Sequence, residues 1–199
     1  DDLNLSSEER KILEERYKNF IRNGALLEGS AKERYSAINQ EISKLSVKFS
    51  QNLLAETNNF EIILIKDDLD GLPDDIVNLA KEEADKKYKE TKDKIYKGKY
   101  IFTPHRSSMY PFLTYSKRRD LREKLYKGYI NRGNNNNEFD NKEITAKISS
   151  LRVERANLLN FETHAHYVLD NTMAKTPEAV YELLDQLWEP ALLLSLIHI

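Results

Sequence analysis

Four histidines carry most of the neutral-pH acid–base and metal-binding capacity of this 199-residue chain: His105, His164, His166 and His198. An imidazole can serve as general base, proton shuttle or metal ligand. Two of them four residues apart on one helix face, with a Glu between, would give the zinc ligands and base of a metal-dependent hydrolase. None of the four opens such a His-Glu-x-x-His segment. His164 and His166 are two residues apart, which splays side chains on a helix. Solvent-facing or capping roles therefore outweigh a metal role. His105 follows a proline and reads as a surface loop residue. The chain has no cysteine, so thiol nucleophiles, disulfides and Cys-based zinc sites are excluded. No Gly-rich phosphate loop, Gly-x-Ser-x-Gly elbow or kinase-like signature occurs. No catalytic or metal-binding residue is assigned.

Three other groupings could bind a partner. The Lys-rich stretch Lys81–Lys99 suggests an anionic ligand, but Glu82, Glu83, Asp85, Glu90 and Asp93 are interleaved with it. That pattern predicts a solvated helix face with i,i+4 pairs. Tyr110, Phe112 and Tyr115 could line a groove; their spacing favours a place in the core. The run Asn134-Asn135-Asn136-Asn137 could hold a ligand through its amides, but Asn tolerates turn conformations and a helix connection is the simpler reading.

The elements that would position these groups are mostly helices. Ser6-x-x-Glu9 and Ser30-x-x-Glu33 are capping boxes, each the start of a helix. The first carries Ile12, Leu13, Tyr17, Phe20 and Ile21 on one face and stops at Asn23-Gly24. The second runs from Ala31 to about Thr57 along Tyr35, Ile38, Ile42, Leu45, Phe49 and Leu53, a length of about 40 Å. Phe60–Ile65 is a β-branched run and Tyr100–Thr103 its expected antiparallel partner. Between them Pro73 opens a helix bearing Ile76, Val77, Leu79, Ala80 and Ala84. Pro111 is expected to start a short helix, Ser116 to cap one reaching Gly133, and Asp140-x-x-Glu143 to cap the next. Thr176-Pro177-Glu178 opens a final helix, interrupted at Pro190.

Composition agrees. Acidic and basic residues nearly balance at 33 and 31, and 40% of residues are hydrophobic, which disfavours disorder. A net charge of −2 argues against a nucleic-acid binder. No apolar run approaches the ~20 residues that span a bilayer.

Several segments together resemble a known family. They are Tyr17–Ala25, Ile38–Ser46 with Phe49, Gln51 and Asn52, Asp68–Pro73, Pro111-Phe112-Leu113 and Arg122–Tyr126. The most distinctive are Asn131-Arg132-Gly133-Asn134-Asn135 with Glu138–Asn141, Met173–Pro177 and Leu187–Ala191. In order and spacing the chain resembles, from about Leu5 to Ala191, the zinc oligopeptidases of the thimet oligopeptidase, oligopeptidase A and peptidyl-dipeptidase Dcp family, nearest to the Dcp branch. Asn136 departs from the pattern, since the family more often has Gly there.

The resemblance implies a mostly α-helical, two-lobed metallopeptidase enclosing a channel for short peptides. In that family a His-Glu-x-x-His helix and a downstream Glu bind zinc, and the motif Glu activates water. That set lies in the family's C-terminal half, so no catalytic or metal position is carried over. Residues 1–193 are expected to form a fragment of the N-terminal helical region: a multi-helix domain with one small two-stranded β element, part of the first lobe and one wall of the channel. The expected partners are short peptide substrates and the missing catalytic lobe, with no nucleic acid and no membrane span. The parent would carry zinc and release C-terminal dipeptides, whereas this fragment would bind no zinc and be inactive. A cytoplasmic location is expected, with an upstream signal left open because the N-terminus looks truncated. Residues 194–199 match the in-frame translation of a transposon-end sequencing adapter and are expected to be non-native. The competing reading is a stand-alone helical scaffold or protein-binding module.

Overall fold

The computed structural model describes residues 4–197. These form eight α-helices and one two-stranded sheet, in two units: the described residues up to 45 with those from 146 on, and residues 46–145.

The second unit holds the sheet. Strands β1 (Ile62–Leu64) and β2 (Tyr100–Phe102) pair antiparallel with Ile62 opposite Phe102 and Leu64 opposite Tyr100. A three-residue pair is not stable alone. It is covered by α3 (Asp74–Thr91), whose small residues Ala80 and Ala84 are buried and let the helix lie close against β2. Below them α4 (Arg106–Tyr115) and α5 (Arg119–Ile130) add Met109, Phe112 and Leu125. These join Ile62, Leu64, Ala80 and Phe102 in one apolar core, with the Phe102 and Phe112 rings 4.5 Å apart. Glu61, beside β1, accepts from Tyr96 Oη at 2.8 Å and pairs with Lys87 of α3.

The first unit begins with α1 (Ser7–Arg22), whose capping box forms as expected: Ser6 N donates to Glu9 Oε2 at 2.9 Å and Glu9 N to Ser6 Oγ at 3.3 Å. Arg22 ends the helix and ties it to α7 (His164–Leu169) and the turn after it. It donates to Tyr167 O and to Asp170 Oδ2, each at 2.6 Å, with its guanidinium 4.6 Å from the Tyr167 ring centre. Arg34, early in α2 (Gly29–Asn59), holds Glu154 of α6 (Lys142–Leu158) through two bonds of 2.6 Å. The last helix, α8 (Pro177–Leu196), is capped by Thr176, which accepts from Ala179 N at 3.3 Å. It buries no residue: Tyr181, Leu183, Leu184, Leu187 and Trp188 are all more than half exposed.

Several boundaries differ from expectation. Helix α2 starts at Gly29, where Glu28 O accepts from Lys32 N, so Ser30 lies inside it. Pro73 is the residue before α3 and not its first turn. Pro111 sits inside α4, because His105 O already starts that helix by accepting from Met109 N at 2.8 Å. Ser116 is buried and ends α4; Arg118 precedes α5, and the chain leaves α5 at Ile130, before Gly133. Asp140 does not box with Glu143: it stands two residues before α6 and accepts from Lys142 N at 2.9 Å. Helix α8 continues through Pro190. Of the tail assigned to the adapter, His198 and Ile199 lie outside the described residues.

Candidate functional site

The densest polar arrangement among the described residues is built where the Asn-rich loop meets α2, within the second unit. Glu56 stands at a position of the α2 stripe, following Phe49 and Leu53 at helical spacing, and only 6% of it is exposed. A buried carboxylate must be bonded or protonated. Here Oε2 accepts from Gly133 N, while Oε1 accepts from Asn135 Nδ2 at 2.9 Å and Asn137 Nδ2 at 2.6 Å. Burial alone would raise its pKa; the three donors outweigh that and hold it below the ordinary carboxylate value.

The loop reaches Glu56 because Gly133 adopts φ +74°, with an added Cβ placed 2.8 Å from Asn141 Nδ2. Asn141 is buried and receives Asn52 Nδ2 at 2.9 Å while donating to Phe49 O at 3.1 Å. Arg132 lies 4.0 Å over the Tyr129 ring and donates to Thr57 Oγ1 at 2.8 Å. Asn136 also has a positive φ, 52°. That explains how Asn stands where the resembled family favours Gly, since Asn is among the few side chains that accept this conformation. Its N–H and the Lys142 ammonium converge on Asp140, whose pKa falls to about 2, chiefly through the Lys142 side-chain bond. Beside the loop is a cleft of about 470 Å³ bordered by Glu56, Phe60, Lys124 and Asn131. With both oxygens of Glu56 engaged, the arrangement is a clamp that fixes a loop and offers no free base.

The histidines are not gathered. His105 immediately precedes α4, with its Nδ1 3.1 Å from Thr103 Oγ1. His164 is half-buried and its Nδ1 has no hydrogen-bond partner among the described residues; burial first, then the charges of Arg152 and Arg155, push its pKa down. His166 turns instead to Thr163 Oγ1 at 2.8 Å, with its Nε2 3.9 Å from both Glu162 and Glu178. His198 lies outside the described residues. Catalytic zinc needs three protein ligands, and among the described residues no three His, Asp or Glu side chains are placed to hold a metal ion. The donor set among the described residues does not fit zinc.

The remaining groupings resolve individually. Phe112 is fully buried, but Tyr110 and Tyr115 are about half exposed, because α4 turns only one face to the core. In the Lys-rich stretch Lys87 crosses to Glu61 beside β1, in place of an i,i+4 partner. Glu56 is the residue that sequence reasoning passed over. Its signal was a lone acid in an otherwise apolar stripe.

Residues 112–194 match peptidase family M3. Curated relatives extend the likeness to most of the chain. It is 34% identical over 192 residues to a protein of Arabidopsis thaliana named "Probable cytosolic oligopeptidase A", covering 94% of this chain and 27% of that protein. Oligopeptidase A of Haemophilus influenzae is 34% identical over 188 residues, covering 92% of this chain and 26% of its own length. Dipeptidyl carboxypeptidase of Escherichia coli is 29% identical over 179 residues, covering 89% and 25%. The chain thus spans about a quarter of the length of the curated relatives it matches. The family M3 match begins at Phe112 and takes in α5, the clamp loop, α6 and most of α8. Among the described residues no helix is long and apolar enough to cross a membrane.

Proposed function

We propose that this chain is part of a zinc metallopeptidase of family M3 that hydrolyses short oligopeptides in the cytoplasm, releasing C-terminal dipeptides, and that these residues form one wall of its substrate channel. The family M3 match over residues 112–194 carries the reading. The zinc and the water-activating Glu belong to sequence outside these 199 residues, and the exposed apolar surface of α8 packs against that remainder. Metal there would lower the pKa of the attacking water and polarise the scissile carbonyl. A second reading, cleavage within oligopeptides without dipeptide release, is favoured by the identities: 34% to the two oligopeptidases A against 29% to the dipeptidyl carboxypeptidase.

The test is to express the intact gene containing these codons and assay fluorogenic peptides with free and amidated C-termini, with zinc and with chelator. Chelator-sensitive hydrolysis is expected, with dipeptides released only from free C-termini. Equal cleavage of amidated peptides selects the second reading, and a lack of chelator-sensitive hydrolysis refutes both. The 199-residue chain assayed alone is expected to bind no stoichiometric zinc and to leave the peptides intact. Turnover by it would move the site onto this chain, around His164 and His166.

A further inference from the structure

The second unit contains a cleft of about 540 Å³ between α3 on one side and β2 with the start of α4 on the other. Its volume falls within the usual range of ligand sites, roughly 300–1,000 Å³. One stripe of α3 forms the first wall through Ile76, Leu79, Ala80 and Glu83, residues that share a helix face. Opposite stand Phe102 at the end of β2 and Ser107 in the first turn of α4. The α3 wall is thus apolar except for one carboxylate.

That carboxylate has lost its natural partner. Lys87 lies four residues after Glu83, the spacing and order in which Glu and Lys pair best along a helix. Lys87 also borders the cleft, yet its ammonium crosses to Glu61 beside β1, whose other oxygen accepts from Tyr96 Oη at 2.8 Å. The charge of Lys87 is therefore answered by Glu61. Glu83 is left half-buried, with no hydrogen bond or ion pair among the described residues. The remaining polar groups of the cleft do not compensate it. His105 Nδ1 lies 3.1 Å from Thr103 Oγ1, and Ser108 Oγ accepts from Thr103 N at 3.1 Å. Asn58 and Ser107 carry no charge. The cleft presents one unanswered negative charge beside apolar side chains, and no unpaired Lys or Arg borders it.

We propose that this cleft binds a small apolar primary amine, an alkylammonium or arylalkylammonium ion. Its ammonium pairs with Glu83, and its hydrocarbon body lies along Ile76 and Leu79. Burial of apolar surface supplies the affinity, and the carboxylate selects the sign of the head group. A neutral alcohol of the same length would cover the apolar wall and leave Glu83 unpaired. A fatty acid would set two like charges together. The proposal is independent of the peptidase reading, since it uses only residues of the second unit.

The experiment is a ¹H–¹⁵N NMR titration of the 199-residue chain at neutral pH with hexylamine and phenethylamine, and in parallel with hexanol and hexanoate. Saturable shifts are expected at the amides of Leu79, Glu83, Thr103 and Ser107, with hexylamine binding about fivefold more tightly than hexanol. Glu83→Gln keeps the shape of the side chain and should weaken both amines about fivefold, with resonances away from the cleft in place. Glu82→Gln removes the same charge from the neighbouring exposed position and should leave the affinities unchanged. The proposal is overturned if the amines cause no saturable shift at the cleft, or if hexanol or hexanoate binds as tightly as hexylamine. It is overturned equally if Glu83→Gln weakens the amines no more than Glu82→Gln does.

Discussion

Replacing Glu56 with Ala tests whether the clamp holds the Asn-rich loop to α2. The variant strips three donors of their acceptor: Gly133 N, Asn135 Nδ2 and Asn137 Nδ2. They do not weigh equally. Gly133 is buried, so its N–H would lie unpaired away from water at a cost of about 1–3 kcal/mol. Asn135 and Asn137 are exposed, and their amides can return to water, so together they add about 1 kcal/mol at most. Loss of the buried Cγ methylene adds about 1 kcal/mol. A destabilisation of about 3 kcal/mol follows, a fall in thermal midpoint of about 6–12 °C for a chain of this size. Circular dichroism melts at pH 7 would read it, and amide exchange at Gly133 should accelerate in step. The sign with pH follows from the lowered pKa. The stabilisation is fully present above the carboxylate's ordinary 4.5 and is lost as pH falls through the lower folded value. The difference between Glu56→Ala and the parent should therefore shrink in acid. A midpoint within 1–2 °C of the parent at pH 7, with Gly133 exchange unchanged, would refute the clamp.

Gly128→Ala should destabilise, against the ~1 kcal/mol that Ala normally gains inside a helix, because its Cβ would overlap the Phe60 ring. Overpacking costs about 1–3 kcal/mol; a raised urea midpoint for the single variant would disprove the contact, and Phe60→Leu in the same chain should restore stability. Burial, then the charges of Arg152 and Arg155, lower the pKa of His164 in the fold. The unfolded chain takes the proton near 6.5, so stability falls as pH drops below that value. His164→Phe should flatten this dependence between pH 7.5 and 5; urea midpoints that fall in parallel for both proteins would show that His164 does not contribute.

Much of this protein was legible in one dimension because the signals are local. The Ser6–Glu9 box and the Thr176-Pro177 start depend on groups within one helical turn, and both form as read. The change from helical period to a β-branched run at Ile62–Leu64, answered at Tyr100–Phe102, located the sheet pair. The likeness to the oligopeptidases was equally a matter of linear order. Boundaries at Pro111, Ser116 and Pro190 were misread because proline and serine preferences are weak beside packing. Helix α4 starts at Arg106 once His105 O finds its donor, and the missing N–H of Pro111 is then tolerated inside it.

The sequence by itself determined that the chain is mostly helical and where its β pair lies, since capping, periodicity and spacing act over a few residues. Only the tertiary structure decided that Glu56 is buried and charged, because its donors come from positions 77 to 81 residues away. The same holds for Arg22 of α1, which bonds Asp170 across 148 residues. Hydrogen bonds and ion pairs of that range leave no periodic trace in the sequence; they exist only once the apolar faces have packed and brought the polar groups within 3 Å.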